Sequence, residues 1–228
     1  MINLKELIYY KENFLSEEEC QLIIDAYENN PEDSIKEHCF HAFTGLDTKS
    51  TFDLKIPILG SSAFDLIHKS VETMVLEYHD YLDTFEGFHV MRKISMLHPH
   101  MYRLMKYKKG SWIHPHVDHG HIETQDGKRS TTYGSCTINL NEDYTGGLFS
   151  FWGGKHKIKM KKGDAMIWPA DYFWVHEVEP IESGVRYSVN CFLNDAPVSL
   201  PASLRYNVDI NENSSKQLIP RPPIKYKY

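Results

Sequence analysis

Residues 107–118 read Tyr-Lys-Lys-Gly-Ser-Trp-Ile-His-Pro-His-Val-Asp, and they lie near the start of a long region with the sequence pattern of β-strands. From Met101 to Asn194 the chain consists of short runs rich in β-branched and aromatic residues, separated by glycine-containing turns. Runs of this kind predict β-strands. We predict strands at 101–107, 112–118, 133–141, 147–152, 155–160, 164–168, 174–178 and 185–193. Many short strands in succession favour a sandwich or a jelly roll.

Two helices are predicted before this region. Ser16 and Glu19 have the spacing of a capping box, which marks the start of the first helix. Its apolar face would contain Cys20, Leu22, Ile23, Ile24 and Ala26. The second helix starts near Ser61 or Ser62, and its apolar residues recur at helical spacings of three and four. They are Phe64, Ile67, Val71, Met74, Val75 and Tyr78.

The predicted fold class is α+β and mainly β, with N-terminal helices on one face of a jelly roll. A short strand at residues 8–10 would lead into the first helix. We predict one domain over residues 1–194, with the helices at about 16–83 and the jelly-roll core at about 101–194. Residues 195–228 contain five prolines and a polar Asn-Glu-Asn-Ser-Ser run, which predict a C-terminal tail ordered only where it docks.

Composition excludes several classes of partner. The formal net charge of the 228 residues is -6, which argues against broad binding of nucleic acid or of anionic membranes. Neither a signal peptide nor an apolar run of membrane-spanning length is visible in the sequence. The cysteines Cys20, Cys39, Cys136 and Cys191 are scattered and predict reduced thiols. We therefore expect a soluble, cytoplasmic protein of unknown oligomeric state.

The candidate metal ligands are His116, Asp118 and His176. Residues two apart on a strand point to the same face, so His116 and Asp118 can present an imidazole and a carboxylate together. A third ligand must come from elsewhere, and His176 lies in the later strand-like run Phe-Trp-Val-His-Glu-Val. Two histidines and one carboxylate leave one side of an ion open, which suits ferrous iron binding an organic co-substrate and oxygen. Closed structural zinc sites do not leave this room.

A second group of residues has the chemistry to hold a dicarboxylate. Arg186 follows His176 by ten residues, after a turn at Gly184, and its forked guanidinium suits a carboxylate. Tyr107 on the strand before His116 and Ser188 beside Arg186 could donate to the same group. Ser135 and Thr137, on a neighbouring strand, are further candidates for contact with a co-substrate.

Together these residues make the sequence resemble the 2-oxoglutarate/Fe(II) dioxygenases of the prolyl 4-hydroxylase type. The resemblance covers about residues 8–194 and depends on an ordered set of motifs rather than on one of them. The matching positions are Tyr107 and Gly110, His116-x-Asp118, Leu140-Asn141, Gly146-Gly147, Phe149, Gly163-Asp164, Trp168-Pro169, His176 and Gly184-x-Arg186.

The resemblance implies a double-stranded β-helix, the cupin-like form of jelly roll. It also implies Fe(II) bound by His116, Asp118 and His176, and 2-oxoglutarate bound through its far carboxylate by Arg186 and Tyr107. Oxygen would be consumed, with ascorbate as an accessory reductant, and succinate and CO2 would be released as a C–H bond is hydroxylated. Asp118 favours hydroxylation, because related halogenases lack this carboxylate.

Two departures from the family leave the substrate open. Collagen-type enzymes usually have lysine at the position of Arg186 and often tyrosine at that of Ile113. We expect the substrate to be a peptidyl residue such as proline, in a peptide or protein. A free amino acid or other small molecule, or a non-catalytic metal-binding cupin-like module, remain alternatives. Candidate substrate contacts are Trp112, Ile113, His114 and Arg129.

The segment from Gly120 to Gly134 is polar, and it predicts a loop that is either a lid over the substrate or a plain surface loop. His114, His119 and His121 lie near the metal motif, and we interpret them as solvent-facing or substrate-facing residues rather than ligands.

Overall fold

A computed structural model of the protein describes residues 3–29, 52–57, 60–87, 98–123 and 129–195. A short 3-10 helix at Leu4–Leu7 precedes the other elements of these ranges. The helices are α1 (Glu17–Asn29) and α2 (Ser62–Leu82). The strands are β1 (Tyr9–Lys11), β2 (Phe52–Lys55), β3 (His98–Tyr107), β4 (Ile113–His116), β5 (His121–Glu123), β6 (Arg129–Asn139), β7 (Thr145–Gly146), β8 (Phe149–Phe151), β9 (His156–Ile158), β10 (Ala165–Pro169), β11 (His176–Val178), β12 (Ile181–Ser183) and β13 (Arg186–Asn194).

Two antiparallel sheets form the body of the molecule. The major sheet has the strand order β1-β10-β6-β13-β3-β2, with β5 paired to β6. The minor sheet has the order β4-β11-β8-β9, and β12 and β7 form a separate two-stranded ribbon. Neighbours in both sheets come from distant parts of the sequence, as in a jelly roll. The predicted double-stranded β-helix with N-terminal helices is therefore confirmed.

The strand predictions are confirmed with small shifts at their ends, and short strands were missed. Each of the eight predicted core strands corresponds to one observed strand, from β3 to β13, and the predicted strand at 8–10 is β1. Strands β2, β5, β7 and β12 were not predicted; they have two to four residues each, which is too few for a periodic pattern.

The prediction of a loop from Gly120 to Gly134 was wrong at both ends. Residues 121–123 form β5, which pairs with the start of β6 at 129–131. The run Ser-Thr-Thr-Tyr at 130–133 contains β-branched and aromatic residues, which favour a strand. It belongs to β6, whereas the predicted strand began only at residue 133. Residues 124–128 lie outside the described part, and so do those of the predicted tail beyond 195.

Helix α2 covers the outer face of the major sheet. Its predicted apolar residues are all buried, and Ile67, Val71, Met74, Val75 and Tyr78 are completely so. Full burial of each such side chain stabilises the fold by about 1.5–3 kcal/mol. The Tyr102 ring of β3 packs edge-on against Phe64 at a centroid distance of 5.4 Å. Even-numbered residues at this end of β3 therefore face the helix, and odd-numbered residues face the interior between the sheets.

Helix α1 begins with the predicted capping box. The backbone N–H of Ser16 donates to Glu19 Oε2 at 2.8 Å, and that of Glu19 donates to Ser16 Oγ at 3.2 Å. The predicted face is partly wrong, because Leu22 is 40% exposed while Tyr27, which we left out, is buried. Leu22 precedes Ile23 by one position and therefore points about 100° away from the buried stripe.

The N-terminal segment is tied to the jelly roll beside β10. Gly163 accepts backbone hydrogen bonds from Phe14 and Leu15. Asp164, which is buried, accepts from the Tyr10 hydroxyl and from the backbone N–H of Asn13. The predicted Gly163-Asp164 motif thus joins the N-terminal segment to the sheet. In the described part of the chain, neither helix combines the length and the apolar character that a membrane span requires.

Candidate metal centre

Two neighbouring strands of the minor sheet bring the histidines together. His176 on β11 pairs directly with His116 on β4, although sixty residues separate them in the sequence. Their ring centroids are 4.3 Å apart. The antiparallel register, rather than local sequence, therefore creates the pair.

Asp118 completes the group just beyond the end of β4. Its Oδ1 lies 3.3 Å from His116 Nε2, and its Oδ2 lies 3.4 Å from His176 Nε2. One ligand atom from each of the three residues lies within 4.8 Å of the others. Two ligands held about 2.1 Å from a metal at a right angle are about 3 Å apart, so the spacing suits a shared ion. The three predicted ligands converge.

The second nitrogen of each histidine is bound to a backbone carbonyl. His116 Nδ1 lies 2.8 Å from the carbonyl of His114, and His176 Nδ1 lies 2.9 Å from that of Trp174. A carbonyl only accepts, so each Nδ1 carries a proton and each Nε2 has a free lone pair unless it binds a second proton. A divalent cation between the three groups would replace those protons, which is the usual arrangement of metal-binding histidine.

The electrostatics of the group favour its charged form. Burial raises the pKa of Asp118, but the charge of His176 and hydrogen bonds from both imidazoles hold it well below the ordinary value. Burial lowers the pKa of His116, yet the hydrogen bond and charge of Asp118 give a net upward shift. The carboxylate is therefore ionised at neutral pH, as a metal ligand must be.

Aromatic packing fixes the position of His176. The Phe149 ring stacks on its imidazole at a centroid distance of 5.2 Å and an angle of 10°. The Trp168 ring meets it nearly edge-on at the same distance. On the other side of the cluster, the Ser135 hydroxyl donates to Asp118 Oδ2 at 2.7 Å. Packing and hydrogen bonds thus hold all three candidate ligands, His116 through its bond to the His114 carbonyl.

A cavity of about 90 Å³ lies between the two sheets and opens at this cluster. All three candidate ligands line it, together with Ile113 and Ser135. Within the described ranges no fourth histidine, cysteine or carboxylate joins the group. The side of the cluster that faces the cavity is therefore open to a small molecule.

Arg186 and Tyr107 lie next to this cavity but are not part of its lining. They are direct partners across β13 and β3, next to the pair formed by Ser188 and Met105. Both are buried, and the Arg186 guanidinium carbon lies 5.1 Å from the centre of the Tyr107 ring. Neither residue lines the cavity, but Met105 does. The two residues thus lie one inward-facing position along the strands from the cavity lining.

The hydrogen-bonding capacity of the Arg186 guanidinium is only partly used among the described residues. Its Nε donates to Asn139 Oδ1 at 3.0 Å, whereas its Nη1 is buried and lacks a hydrogen-bond partner among the described residues. Leaving such a donor unpaired costs about 1–3 kcal/mol or more. Gly147 lies beside the Arg186 stem, where a Cβ atom would be 3.5 Å from Arg186 Cδ and 2.4 Å from Ile181 Cδ1. An anion that meets Nη1 would therefore remove an energetic penalty.

The other predicted co-substrate residues have different roles in this conformation. The hydroxyls of Thr137 and Ser188 both donate to Asn190 Oδ1, at 3.1 and 3.2 Å. Ser135 contacts the cluster through Asp118, as described above. These three hydroxyl groups therefore orient side chains around the cavity.

The four candidate substrate residues do not form one group, and of the four Ile113 is in the cavity lining. The carbonyl of His114 holds His116. The Trp112 ring lies next to that of His114, at 6.1 Å. Arg129 is exposed at the start of β6. His119 and His121 are exposed, and the group of three candidate ligands does not include them.

Our sequence reading missed Arg103, Asn190 and Phe192, which all line the cavity. The signal was available in the alternation of strand residues. Arg103 lies four residues before Tyr107, and Asn190 and Phe192 lie four and six after Arg186, so all three share the inner faces of their strands.

Comparison with known proteins agrees with this geometry. The sequence model of the 2OG-Fe(II) oxygenase superfamily matches residues 102–194. A PKHD-type hydroxylase of Stenotrophomonas maltophilia is 30% identical over 88 residues, which are 37% of this chain and 38% of that protein. A PKHD-type hydroxylase of Herminiimonas arsenicoxydans is 34% identical over 87 residues, 36% and 37% of the two chains. The chain thus matches less than two fifths of the length of these relatives.

Solved structures share the fold at low sequence identity. A viral collagen prolyl hydroxylase from Paramecium bursaria Chlorella virus-1, in a 2OG complex, aligns with a TM-score of 0.58 and 18% identity. The alignment covers 82% of this chain and 96% of the viral chain. A prolyl hydroxylase of Trichoplax adhaerens, in complex with a peptide fragment, aligns with a TM-score of 0.61 and 14% identity. This alignment covers 83% of this chain and 84% of the Trichoplax chain.

The fold, the ordered motifs and the converging side chains agree with the profile match. Residues 102–194 are therefore similar in sequence to the 2OG-Fe(II) oxygenase superfamily, and the fold is shared with the viral collagen prolyl hydroxylase.

Proposed function

We propose that this protein is an Fe(II)- and 2-oxoglutarate-dependent dioxygenase that hydroxylates an unactivated C–H bond. The reaction would convert 2-oxoglutarate, oxygen and the substrate into succinate, CO2 and the hydroxylated product. The observation that supports it is the convergence of His116, Asp118 and His176 on one side of a cavity, with its other side open. Three ligands of this type with vacant positions are characteristic of non-haem iron oxygenases.

The metal would supply the oxidising chemistry, and the protein would supply orientation and exclusion of water. His116, Asp118 and His176 would hold the ion, with Ser135 fixing the carboxylate and the two backbone carbonyls fixing the imidazole tautomers. Phe149 and Trp168 pack around His176 and keep water from that side of the centre. These residues act before the substrate binds, because their contacts exist in the protein alone.

Arg186 and Tyr107 would bind the carboxylate of 2-oxoglutarate that lies away from the metal. The support is the buried Arg186 Nη1, which an incoming carboxylate oxygen would satisfy. A guanidinium forms paired hydrogen bonds with a carboxylate, so the site would select a dicarboxylate of defined length. Asn139 would hold the guanidinium through Nε while its other nitrogens meet the ligand.

The substrate we propose is a peptidyl residue, with proline as the first candidate. The Trichoplax enzyme of the same fold was solved with a peptide fragment of hypoxia inducible factor. In this chain the large exposed aromatics Tyr133, Tyr172 and Phe173 lie on β6 and on the segment that leads to His176. Exposed aromatic residues are enriched where proteins bind peptides. Ile113, Trp112, His114 and Arg129 would contribute to the same surface.

Succinate release tests the reaction. Purified protein would be incubated in air with Fe(II), ascorbate and 2-oxoglutarate, first alone and then with proline-containing peptides. We expect succinate in both cases, more with a true substrate, and a product peptide heavier by one oxygen atom. Anaerobic protein and His176→Ala protein are the controls and should form none. The absence of succinate from the intact protein, with iron shown to be bound, would contradict the proposal.

A free amino acid or another small molecule is the second candidate substrate, because the cavity itself is small. Stimulation of succinate release by free amino acids but not by peptides would favour it. We further propose that residues 1–194 form the catalytic unit, that 195–228 form an appended tail, and that ascorbate keeps the iron reduced. Buried free thiols at Cys20, Cys136 and Cys191 support a reducing, cytoplasmic location.

A further inference from the structure

Two nitrogen-bearing side chains of the cavity wall have no role in the function proposed above. Arg103 on β3 and Asn190 on β13 are direct partners across the two strands, and both line the cavity that the candidate metal ligands share. Both sit on the inner face, in the same alternation as Tyr107 and Arg186. They therefore lie in the cavity wall, on the same two strands as Tyr107 and Arg186.

The register shows how far they are from the metal cluster. On the next strand, Asn190 pairs with Thr137, and Phe192 pairs with Ser135. Ser135 donates to Asp118, so the cluster lies level with the pair Ser135–Phe192. The Arg103 guanidinium carbon lies 4.5 Å from the centre of the Phe192 ring. The side chain of Arg103 thus extends from its own level toward that of the metal cluster.

Asn190 is oriented by its neighbours. Its Oδ1 accepts hydrogen bonds from the hydroxyls of Thr137 and Ser188. Ser188 lies on the Arg186 side of Asn190 along β13. Because these two bonds engage the oxygen, the Nδ2 group is the part of the amide that would donate to a ligand in the cavity. The two hydroxyls that we predicted to touch the co-substrate thus fix this amide.

We propose that Arg103 and Asn190 bind the keto-acid end of 2-oxoglutarate, while Arg186 and Tyr107 bind its other carboxylate. This inference rests on the proposed function. A carboxylate that shares one oxygen with a metal has a second oxygen that requires donors in a water-poor cavity. A guanidinium and a fixed amide N–H at the level of the metal ligands provide that charge and those hydrogen bonds.

Ligands that carry only one end of 2-oxoglutarate distinguish the binding roles of Arg103 and Arg186. Pyruvate has the keto acid without the far carboxylate, and glutarate has the far carboxylate without the keto group. Binding of 2-oxoglutarate to Mn(II)-loaded protein would be measured by calorimetry without oxygen turnover, with pyruvate and glutarate as competitors. Manganese is a redox-silent substitute for iron.

Arg103→Met should weaken the binding of 2-oxoglutarate at least tenfold and that of pyruvate by a similar factor. The affinity for glutarate should stay within twofold of that of the unaltered protein. Asn190→Asp, which replaces the donor by a repelling oxygen of the same shape, should act in the same direction. Arg186→Met is the matched comparison and should show the reverse, with glutarate weakened and pyruvate retained. Arg103→Lys should lie between, because it retains charge but loses the fork.

The Mn(II) affinity of each variant, measured without organic ligand, checks that the metal site is intact. Unchanged pyruvate binding in Arg103→Met would overturn the inference. So would a defect that appears only in the turnover of the oxidised substrate, which would assign Arg103 to that substrate instead. If the unaltered protein fails to bind 2-oxoglutarate at all, the proposed function fails with it, and the two failures are therefore distinguishable.

Discussion

At the scale of single residues, hydrogen bonds to the candidate ligands prepare the site for a metal. Ser135 holds Asp118, and two backbone carbonyls select the tautomers of His116 and His176. None of these partners is itself a candidate metal ligand. Groups of this kind commonly contribute 10–100-fold to metal affinity, because they orient the ligands in advance.

Ser135→Ala should therefore weaken Mn(II) or Fe(II) binding by roughly 10–100-fold while the fold persists. The metal affinity would be measured by calorimetry. Ser150→Ala is a suitable control, because Ser150 is also a buried strand serine but its hydroxyl bonds to Glu177 instead. Equal metal affinities for the two variants would show that Ser135 has no part in the site.

Arg186→Ala should raise the requirement for 2-oxoglutarate steeply and leave metal binding nearly normal. The side chain does not line the cavity, and its contacts are with Asn139 and Tyr107 rather than with the metal ligands. The succinate assay, run as a function of 2-oxoglutarate concentration, measures this requirement. An unchanged dependence in the variant would refute the role we assign to Arg186.

At the scale of elements, tight turns set the positions of the strands that carry the site. Gly184 precedes β13 with a φ of 76°, and a Cβ atom there would lie 2.4 Å from the carbonyl oxygen of Asp143. That contact is too close for any residue but glycine. The turn therefore sets where β13, and with it Arg186, crosses the sheet.

Gly184→Ala should lower the free energy of unfolding by about 2–4 kcal/mol, since backbone strain and a steric clash act together. It should also weaken 2-oxoglutarate binding through the displaced strand. Gly153→Ala provides the comparison, because its φ is 63° but nothing lies within 4 Å of the added carbon, and about 1–2 kcal/mol is expected. Urea denaturation measures the free energy of unfolding of both variants. Equal decreases in the two would mean that the contact with Asp143 does not contribute.

Elements were predicted unevenly from the sequence. Long periodic elements such as α2 and β13 were recognised because their burial patterns repeat several times. Strands of two to four residues, such as β7 and β12, have no such pattern and exist because neighbouring chain segments supply hydrogen-bond partners. Leu22 was misassigned for a related reason, since an apolar stretch does not reveal which of its residues will meet the sheet.

At the scale of the whole molecule, buried tyrosines connect the N-terminal segment, the helices and the sheet. Tyr78 of α2 is completely buried, and its hydroxyl donates to the carbonyl of Leu7 at 2.9 Å. Burial raises the pKa of Tyr78 far above its ordinary value. The pKa values of Tyr10 and Tyr187 are also raised, by burial first and then by hydrogen bonds to Asp164 and Glu28.

The free energy of unfolding should therefore fall as the pH rises above about 10, where tyrosines of the unfolded chain lose their protons and Tyr78 retains its own. One such residue changes the slope by up to about 1.4 kcal/mol per pH unit. Tyr78→Phe should reduce the slope and cost about 1 kcal/mol at neutral pH through the lost hydrogen bond. Urea denaturation from pH 7 to 11 measures this; an unchanged slope would contradict it.

The class of fold and the periodic helices and strands could be predicted from the sequence, because they follow from local periodicity. The spacing His116-x-Asp118 depends only on strand geometry, whereas the choice of His176 as third ligand relied on the resemblance to 2-oxoglutarate/Fe(II) dioxygenases. Tertiary structure alone decided the pairing of His176 with His116, the bond from Ser135 to Asp118, and the meeting of Arg103 with Asn190. Those contacts join residues far apart in the chain, and only the register of antiparallel strands brings them together.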